Sequence, residues 1–400
     1  MTLLVRTLTD DRSASNSRHS GSLNLSGVIA VLFIFLAMGL LLRRCRGVLP
    51  TALIALWLCI WTAIAVSTDG ASAETLREGV RETSIVALAI ITYNARGHLT
   101  VPVATRLVQL AGFAPALLAI YQLATHTGLN VAHNLRANGT FAHPNSAAMF
   151  FAIAATASLW QYLDNGRRRP DALLMALFAA ALVATFSIDG LITLAAMLIA
   201  FGVLHSGSVR LKLVPCAIAG VVVLAFFATP LGSQRVASES STSLAAAERG
   251  ETTSTLDTRL YRWKTLLPEW EDSPAFGRGL GTTTTTNSTR ANRLNYLLPH
   301  NEYLRYLVET GVVGLAILLA GLAILIRDLL RKRKIPDTAS LSTFNAPSLG
   351  LAIVVGCLVN SLADNTLLNS PTGYAAALII AAILALSGLD MQRSPTLQPV

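Results

Sequence analysis

A histidine stands at the start of a long apolar helix in the stretch LPHNEYLRYLVETGVVGL, residues 298–315. Asn301 is of a type that caps helices, and Glu302 falls in the first turn, where the positive end of the helix dipole favours an acid. His300 then lies just outside the helix, where an imidazole can exchange a proton near neutral pH. Such a group suits acid–base chemistry. The commoner role of a histidine in this position is an interfacial hydrogen bond.

A second polar group occupies the stretch RANGTFAHPN, residues 136–145. Pro144 suits the first position of a helix, and His143 precedes it on the cap side. Arg136, His143 and Asn145 would then crowd one helix end. Taken alone, the stretch is typical of a loop followed by a proline-started helix.

Two arginines lie one helical turn apart in LDTRLYRWKTLLPEW, residues 256–270. The apolar and aromatic residues of this stretch recur at helical spacing, which favours an amphipathic helix on a membrane surface. Arg259 and Arg262 are neighbours on that helix, and two guanidinium forks one turn apart suit a pyrophosphate. The alternative is that both arginines only anchor the helix at the surface by snorkelling.

The composition predicts the class of protein that must position these groups. The 400 residues are 53% hydrophobic and 13% charged, which is too apolar for a soluble enzyme and indicates a polytopic membrane protein. The net charge of +9 could suggest nucleic acid. However, the basic residues cluster at the ends of apolar runs, as in Arg43–Arg46, Arg167–Arg169 and Arg331–Lys334, so the charge indicates membrane topology and no nucleic-acid partner.

The apolar runs predict an all-α integral membrane fold with about eleven (10–12) transmembrane helices. Within the ninth run, Gly311 and Gly314 predict a close approach of another helix. The eleven runs are 24–42, 48–67, 83–97, 101–124, 144–163, 170–187, 189–205, 211–229, 302–327, 347–364 and 371–389. The run 83–97 is the shortest and follows the charged stretch ETLREGVRE.

These runs divide the chain into five parts. We predict a mobile N-terminal tail (1–23), transmembrane helices 1–8 (24–229), a large extracytoplasmic loop with short amphipathic helices (230–299), transmembrane helices 9–11 (300–389) and a cytoplasmic tail (390–400). Placing the basic clusters in the cytoplasm puts the unclustered polar stretches on the opposite, extracytoplasmic face. Any chemistry is therefore expected on that face.

Metal and cofactor sites find little support in the sequence. The carboxylates on the outer face, including Asp189 and Asp364, look scattered and lack ligand spacing, and the four cysteines have none either. The glycine-rich stretch SPAFGRGLGT (273–282) follows no predicted strand and lacks a Walker lysine, so it favours a tight loop over a nucleotide site. We predict no metal and no cofactor.

Taken in order and spacing, RANGTFAHPN, DTRLYRWKTLLPEW, SPAFGRGLGT and HNEYLRYLVETGVVGL resemble the motifs of the bacterial O-antigen ligase and polymerase superfamily. The resemblance covers roughly residues 85–330, and the combination of motifs is specific although each motif alone is not. It implies a membrane glycosyltransferase of the GT-C type in the bacterial inner membrane. Such an enzyme takes a glycan from an undecaprenyl-diphosphate carrier on the periplasmic face and passes it to a lipid or glycan acceptor, without a metal.

The resemblance also implies roles for individual residues. His300 corresponds to the histidine that engages the acceptor hydroxyl, and Arg259 to the arginine that holds the donor diphosphate. These two are the expected catalytic residues. Arg136 corresponds to the arginine that opens the R-x-x-G motif of the family. We expect it to bind substrate together with Asn145, Arg262, Asn301 and Arg81.

One departure from the family pattern concerns the hairpin between the sixth and seventh runs. Many members carry a Ser-Arg-Gly step there, but this chain reads Ser187-Ile188-Asp189-Gly190. An arginine expected near the diphosphate is absent, and a carboxylate stands beside its place. Arg262 or Arg81 could substitute for it, the donor could differ in charge or geometry, or activity could be lost.

Two alternatives remain open at the level of sequence. A transporter would also surround a few polar groups with many helices, but it predicts charges deep within helices and an internal repeat, neither of which is evident here. Within the enzyme class, ligases and polymerases share the same donor chemistry. The sequence therefore does not separate lipid A–core from a second carrier-linked glycan as the acceptor.

Overall fold

The computed structural model describes residues 25–42, 57–64, 73–95, 98–131, 134–164, 168–205, 208–240, 255–283, 299–333, 345–366 and 369–386. The tails predicted for 1–23 and 390–400 lie outside these residues. So do the basic cluster Arg43–Arg46, Arg167, Lys334 and much of the loop predicted for 230–299. The proposed division of the chain into five parts therefore stays a prediction.

Helices make up nearly all of the described structure. They are α1 (Leu25–Leu42), α2 (Ala73–Asn94), α3 (Val101–Thr125), α4 (Pro144–Asp164), α5 (Arg169–Ala184), α6 (Ile188–Leu204), α7 (Val209–Ala228), α8 (Pro230–Ser240), α9 (Thr255–Glu271), α10 (Glu302–Arg333), α11 (Ala346–Asn360) and α12 (Ser370–Ala385). Residues 57–64 are also helical. The strands β1 (Leu129–Val131) and β2 (Asn134–Arg136) form an antiparallel hairpin between α3 and α4, which the all-α prediction did not include.

Four described helices, α3, α4, α7 and α10, are long and apolar enough to cross a membrane. Shorter apolar helices, including α6, α11 and α12, accompany them. Large apolar side chains such as Leu117, Val221, Leu224 and Leu319 are exposed on the outside of the bundle, as expected where a helix faces lipid. The chain is an integral membrane protein, while the number of about eleven spans stays a prediction.

Helix α4 forms the centre of the bundle. Every residue from Pro144 to Gln161 is buried, and the helix packs against α3, α5, α6, α11 and α12. Alanine and serine occupy many of its positions, and small side chains let neighbouring helices approach closely in a membrane. Its first turn, which carries Asn145, is thereby held at one end of the bundle.

Helix α2 begins earlier than the run 83–97 predicted, because the charged stretch before that run is also helical. The carboxylate of Glu82 in this stretch pairs with an arginine more than two hundred residues away in the chain. Arg305 of α10 donates hydrogen bonds to Glu82 and to Glu302, both at 2.6 Å, and its other terminal nitrogen lies 3.5 Å from Glu309. Arg305 is 1% exposed, so this ion-pair group is buried and joins α2 to α10.

Gly311 and Gly314 of α10 differ in backbone conformation and in what packs against them. Gly311 has φ 65° and ψ −173°, so the backbone leaves the helical conformation there and the helix is kinked. The prediction that Gly311 packs against another helix is therefore wrong. At Gly314 the prediction is confirmed, because the indole of Trp61, from the helical segment 57–64, packs against that position.

The break at Gly311 frees backbone groups, and the loop 274–279 satisfies them. The amides of Arg278 and Gly279 donate to the carbonyls of Val308 and Glu309, at 3.1 and 2.7 Å. In return, the amide of Val312 donates to Pro274 at 2.9 Å. Because unpaired backbone groups are costly inside a membrane, this exchange makes the kink tolerable.

We expect Gly311→Ala to destabilise the protein. The φ and ψ of residue 311 lie in a region that is nearly restricted to glycine, and a Cβ there would collide with the carbonyl of Ala275. Backbone strain of this kind costs about 1–3 kcal/mol. Thermal unfolding in detergent should show a lower Tm for Gly311→Ala. The matched control is Gly220→Ala in α7, where a Cβ would meet open space and no loss of Tm is expected. Equal Tm values would contradict this account of the break.

Candidate functional site

Polar side chains from six parts of the chain meet at one end of the bundle. They come from the end of β2, the start of α4, the start of α6, the middle of α9, the residues just before α10 and the turn after α11. We call this group the polar ring. Its members are Arg136, His143, Asn145, Asp189, Arg259, His300 and Asp364.

Arg136 enters the polar ring from the hairpin. It is the last residue of β2 and is paired in register with Leu129 of β1. Its Nε donates to the carbonyl of Thr185 at 2.8 Å, and its Nη2 donates to Oδ1 of Asn145 at 2.7 Å. The guanidinium is 3% exposed, so the hairpin inserts it between the α5–α6 turn and the first turn of α4.

Asn145 connects the two sides of the ring. Its Oδ1 accepts hydrogen bonds from Arg136 and, at 3.0 Å, from the hydroxyl of Ser187. Its amide nitrogen Nδ2 lies 3.4 Å from Oδ2 of Asp189, and its backbone N–H donates to Nδ1 of His143 at 3.2 Å. A buried asparagine with these partners can hold both an arginine and a carboxylate in place.

Asp189 reaches the ring from the first turn of α6. Ser187 caps this helix, since its hydroxyl accepts the N–H of Gly190 at 3.1 Å. The carboxylate forms an ion pair with the guanidinium of Arg259, in which Nη1 lies 3.3 Å from Oδ1 and Nη2 donates to Oδ2. Both side chains are largely buried, at 13% and 10% exposure.

Arg259 and His300 are brought to the same region by a contact between α9 and the start of α10. One turn after Arg259, the indole of Trp263 donates to the carbonyl of Pro299 at 2.7 Å. Pro299 is adjacent to His300 in the chain. The sequence predicted that this arginine and this histidine converge, and the structure places them in one polar group.

His300 is held by its backbone and by a carboxylate. Its φ of 48° places it in the left-handed region, just before the cap residue Asn301, whose Oδ1 accepts the N–H of Leu304 at 3.0 Å. The Nδ1 atom of His300 lies 2.8 Å from Oδ1 of Asp364, in the turn after α11. An Asp partner at Nδ1 fixes the ring and directs Nε2 away from the carboxylate.

The electrostatics of the ring keep the second histidine neutral. Burial lowers the pKa of His143 to about 3, and the nearby arginines act in the same direction, while Asp364 opposes them. The rings of His143 and His300 are 6.3 Å apart. Burial alone would raise the pKa of Asp364, but hydrogen bonds with His300 and with the backbone N–H of Asn365 are among the causes that lower it below its usual range. Asp364 is therefore an anion at neutral pH.

The arginines of the site stay cationic. Burial, followed by repulsion from Arg235, lowers the pKa of Arg136 to about 10. Burial and repulsion from Arg259 lower the pKa of Arg262 to about 10. Both values are far above neutral pH, so Arg136 and Arg262 bring positive charge to this end of the bundle, and Arg235 and Arg259 lie close enough to act electrostatically on Arg136.

The other predicted binding residues take different positions. Asn301 caps α10 beside His300, and Arg262 lies on the same helix as Arg259. Arg81 forms an ion pair with Glu78, whose other carboxylate oxygen lies 3.7 Å from Arg305. Arg81 therefore belongs to the ion-pair group around Arg305 that joins α2 to α10.

Sequence reasoning missed the contacts of two carboxylates and the position of one arginine. Asp189 and Asp364 were expected to be scattered, and this expectation is wrong, since the structure places one against Arg259 and the other against His300. Arg235 of α8 was not considered, although its charge acts on Arg136. The available signal was that the stretches carrying Asp189 and Asp364 were assigned to the same membrane face as His300. Among the described residues, no group of three or more His, Cys, Asp and Glu side chains has the geometry of a metal site.

Comparison with known proteins finds a family model that matches part of the chain. Residues 173–319 match the family model described as O-antigen ligase, which confirms the resemblance drawn from the motifs. The matched segment runs from α5 into α10 and contains Asp189, Arg259, Arg262 and His300. Arg136, Asn145 and Asp364 lie outside it. No curated protein matches the chain.

Proposed function

We propose that this chain, which carries the O-antigen ligase segment, is a membrane glycosyltransferase that moves a glycan from an undecaprenyl-diphosphate carrier to an acceptor hydroxyl. The first choice of acceptor is lipid A–core or another lipid of the envelope, and the second is a carrier-linked glycan, which would make the protein a polymerase. The polar ring is the proposed reaction site. We place it on the periplasmic face of the inner membrane.

In the proposed step, the acceptor oxygen attacks the anomeric carbon of the donor sugar. A new carbon–oxygen bond forms on one face while the bond to the diphosphate breaks on the other, so the configuration inverts. The hydroxyl proton passes to Nε2 of His300, and the diphosphate leaves with the bonding electrons. The Nδ1 contact with Asp364 supports this assignment, because an Asp partner stabilises the imidazolium that forms.

The leaving diphosphate gains negative charge in this step, and the arginines are positioned to stabilise it. Guanidinium forks bind phosphate oxygens in a bidentate manner. Arg259 and Arg262 lie one turn apart on α9, and Arg136 joins them across Asn145 and Asp189. The proposal therefore assigns charge neutralisation to arginine side chains.

The convergence of Arg259 with His300 carries the proposal. These residues lie on separate elements, and the Trp263–Pro299 hydrogen bond joins those elements. Arg259 acts electrostatically on the buried imidazole of His143, and the ring of His143 lies 6.3 Å from that of His300. A glycosyl transfer from a diphosphate needs a base on one side and a cationic group on the other, and the ring supplies both.

Glycan analysis after gene deletion tests the function in the cell. Loss of a ligase should leave long carrier-linked chains, whereas loss of a polymerase should leave single carrier-linked repeats. Reintroduction of the wild-type gene is the control, and it should remove the accumulated species. An envelope with unchanged carrier-linked glycans after deletion would reject both forms of the proposal.

A further inference from the structure

The ion pair between Asp189 and Arg259 occupies the atoms that a donor phosphate would use. Arg259 presents both terminal nitrogens to the two oxygens of the carboxylate. Carboxylate and phosphate accept the same bidentate fork of an arginine. A phosphate that binds Arg259 through this fork must therefore take the place of Asp189.

We infer that Asp189 is an internal competitor of the donor, which holds the fork of Arg259 until a donor phosphate replaces it. This inference rests on the proposed function, because it names the arginine that receives the diphosphate. It also accounts for the departure in the stretch Ser187-Ile188-Asp189-Gly190. The carboxylate there does not replace an arginine in binding the donor; it regulates access to Arg259.

After such an exchange, two other interactions would still stabilise the carboxylate of Asp189. The amide of Asn145 already lies 3.4 Å from its Oδ2. Its position in the first turn of α6 also places the carboxylate at the positive end of the helix dipole, where an anion is stabilised. Release of Arg259 therefore leaves the carboxylate in a favourable environment.

The charges of the site set the direction of the expected effect. The positive charge of Arg259 acts on both Arg136 and Arg262, so this part of the site attracts anions. Asp189 is the carboxylate that pairs with Arg259 itself. Loss of this competing carboxylate should therefore tighten the binding of a phosphate anion at Arg259.

The test is a titration of the purified full-length protein in detergent with inorganic pyrophosphate and with a short-chain prenyl diphosphate. We expect Asp189→Asn to bind both ligands about tenfold more tightly than the wild type, or more, because the competing anion is removed. Asp189→Ser is a second variant in case asparagine disturbs folding. In an Arg259→Ala background, Asp189→Asn should give no gain, because the arginine for which the two anions compete is absent.

Asp171→Asn is the matched control. Asp171 is a buried carboxylate that forms an ion pair with the partly exposed Arg106. It lies in the first turn of α5, at the opposite end of the α5–α6 hairpin from Asp189. Its substitution removes one negative charge without touching the polar ring. Ligand affinity should stay at the wild-type value.

Three outcomes would overturn the inference. Weaker or equal binding by both Asp189 variants would show that the carboxylate positions Arg259 or has no part in binding. A gain that persists in the Arg259→Ala background would show a general charge effect. A gain of the same size in Asp171→Asn would also show a general charge effect. The proposed function fails separately, if the wild type transfers no glycan from a carrier-linked donor.

Discussion

Replacement of His300 by glutamine is expected to slow glycan transfer by about 10²–10⁴-fold, which is the usual contribution of a general base. Glutamine keeps hydrogen-bonding capacity but cannot accept the hydroxyl proton. The measurement is the rate of transfer of a labelled carrier-linked glycan by the purified protein.

The control for this prediction is His98→Gln. His98 is exposed and lies before α3, whereas the hairpin that carries Arg136 follows the end of α3. A 25-residue helix spans about 37 Å, so this histidine is remote from the ring. Asp364→Asn should also slow transfer, because the imidazolium loses its carboxylate partner. Transfer by His300→Gln at the wild-type rate would remove His300 from the mechanism.

Loss of the Arg259 side chain is expected to reduce transfer by about 10²–10³-fold, as is usual when a charge-stabilising donor is removed. The effect should be comparable to that of His300→Ala, since both groups act in the same step. Arg259→Lys should recover only part of the rate, because lysine supplies a point charge without the bidentate fork. The measurement is kcat and KM for the carrier-linked donor in the same transfer assay.

Substitution of Arg259 also leaves Asp189 without its ion-pair partner, and the double variant separates this effect from catalysis. Arg259→Ala combined with Asp189→Asn removes the uncompensated carboxylate, so its Tm in detergent should approach that of the wild type. Its transfer rate should stay low. Arg106→Ala, which disrupts a similar ion pair with Asp171, is the control for a remote arginine. Recovery of full transfer by the double variant would mean that Arg259 acts only by neutralising Asp189.

The sequence predicted the helix-starting residues of the site well, because their signals are local. Asn301 was expected to cap a helix, and its Oδ1 accepts the N–H of Leu304. Pro144 was expected at a first helical position, and α4 begins there. Capping and proline geometry depend on a few neighbouring residues, so a single sequence contains the information they need.

The partners of those residues depend on the path of the chain and could not be predicted in the same way. Asp364 is 64 positions from His300, and Asp189 is 70 positions from Arg259. Their spacing resembles no motif, so they looked scattered. Only the packing of α6, α9 and the turn after α11 at one end of the bundle brings them into contact.

The start of α2 and the break in α10 were predicted less well for a similar reason. The predicted run 83–97 left out the charged stretch before position 83, but this stretch is helical and Arg305 pairs with its Glu82. Gly311 looked like a packing position, because glycine between apolar residues commonly has that role in membranes. The docking of loop 274–279 on its backbone comes from a distant segment that periodicity does not reveal.

The buried group around Arg305 has a consequence for how the chain is made. Charged side chains within a membrane-spanning segment are costly unless they are paired, and Arg305 is paired with Glu82, which is synthesised 223 residues earlier. Helix α10 reaches its final electrostatic state only when α2 is beside it. We therefore expect the early helix to stay accessible until the late one emerges from the ribosome, so that α2 and α10 mature together.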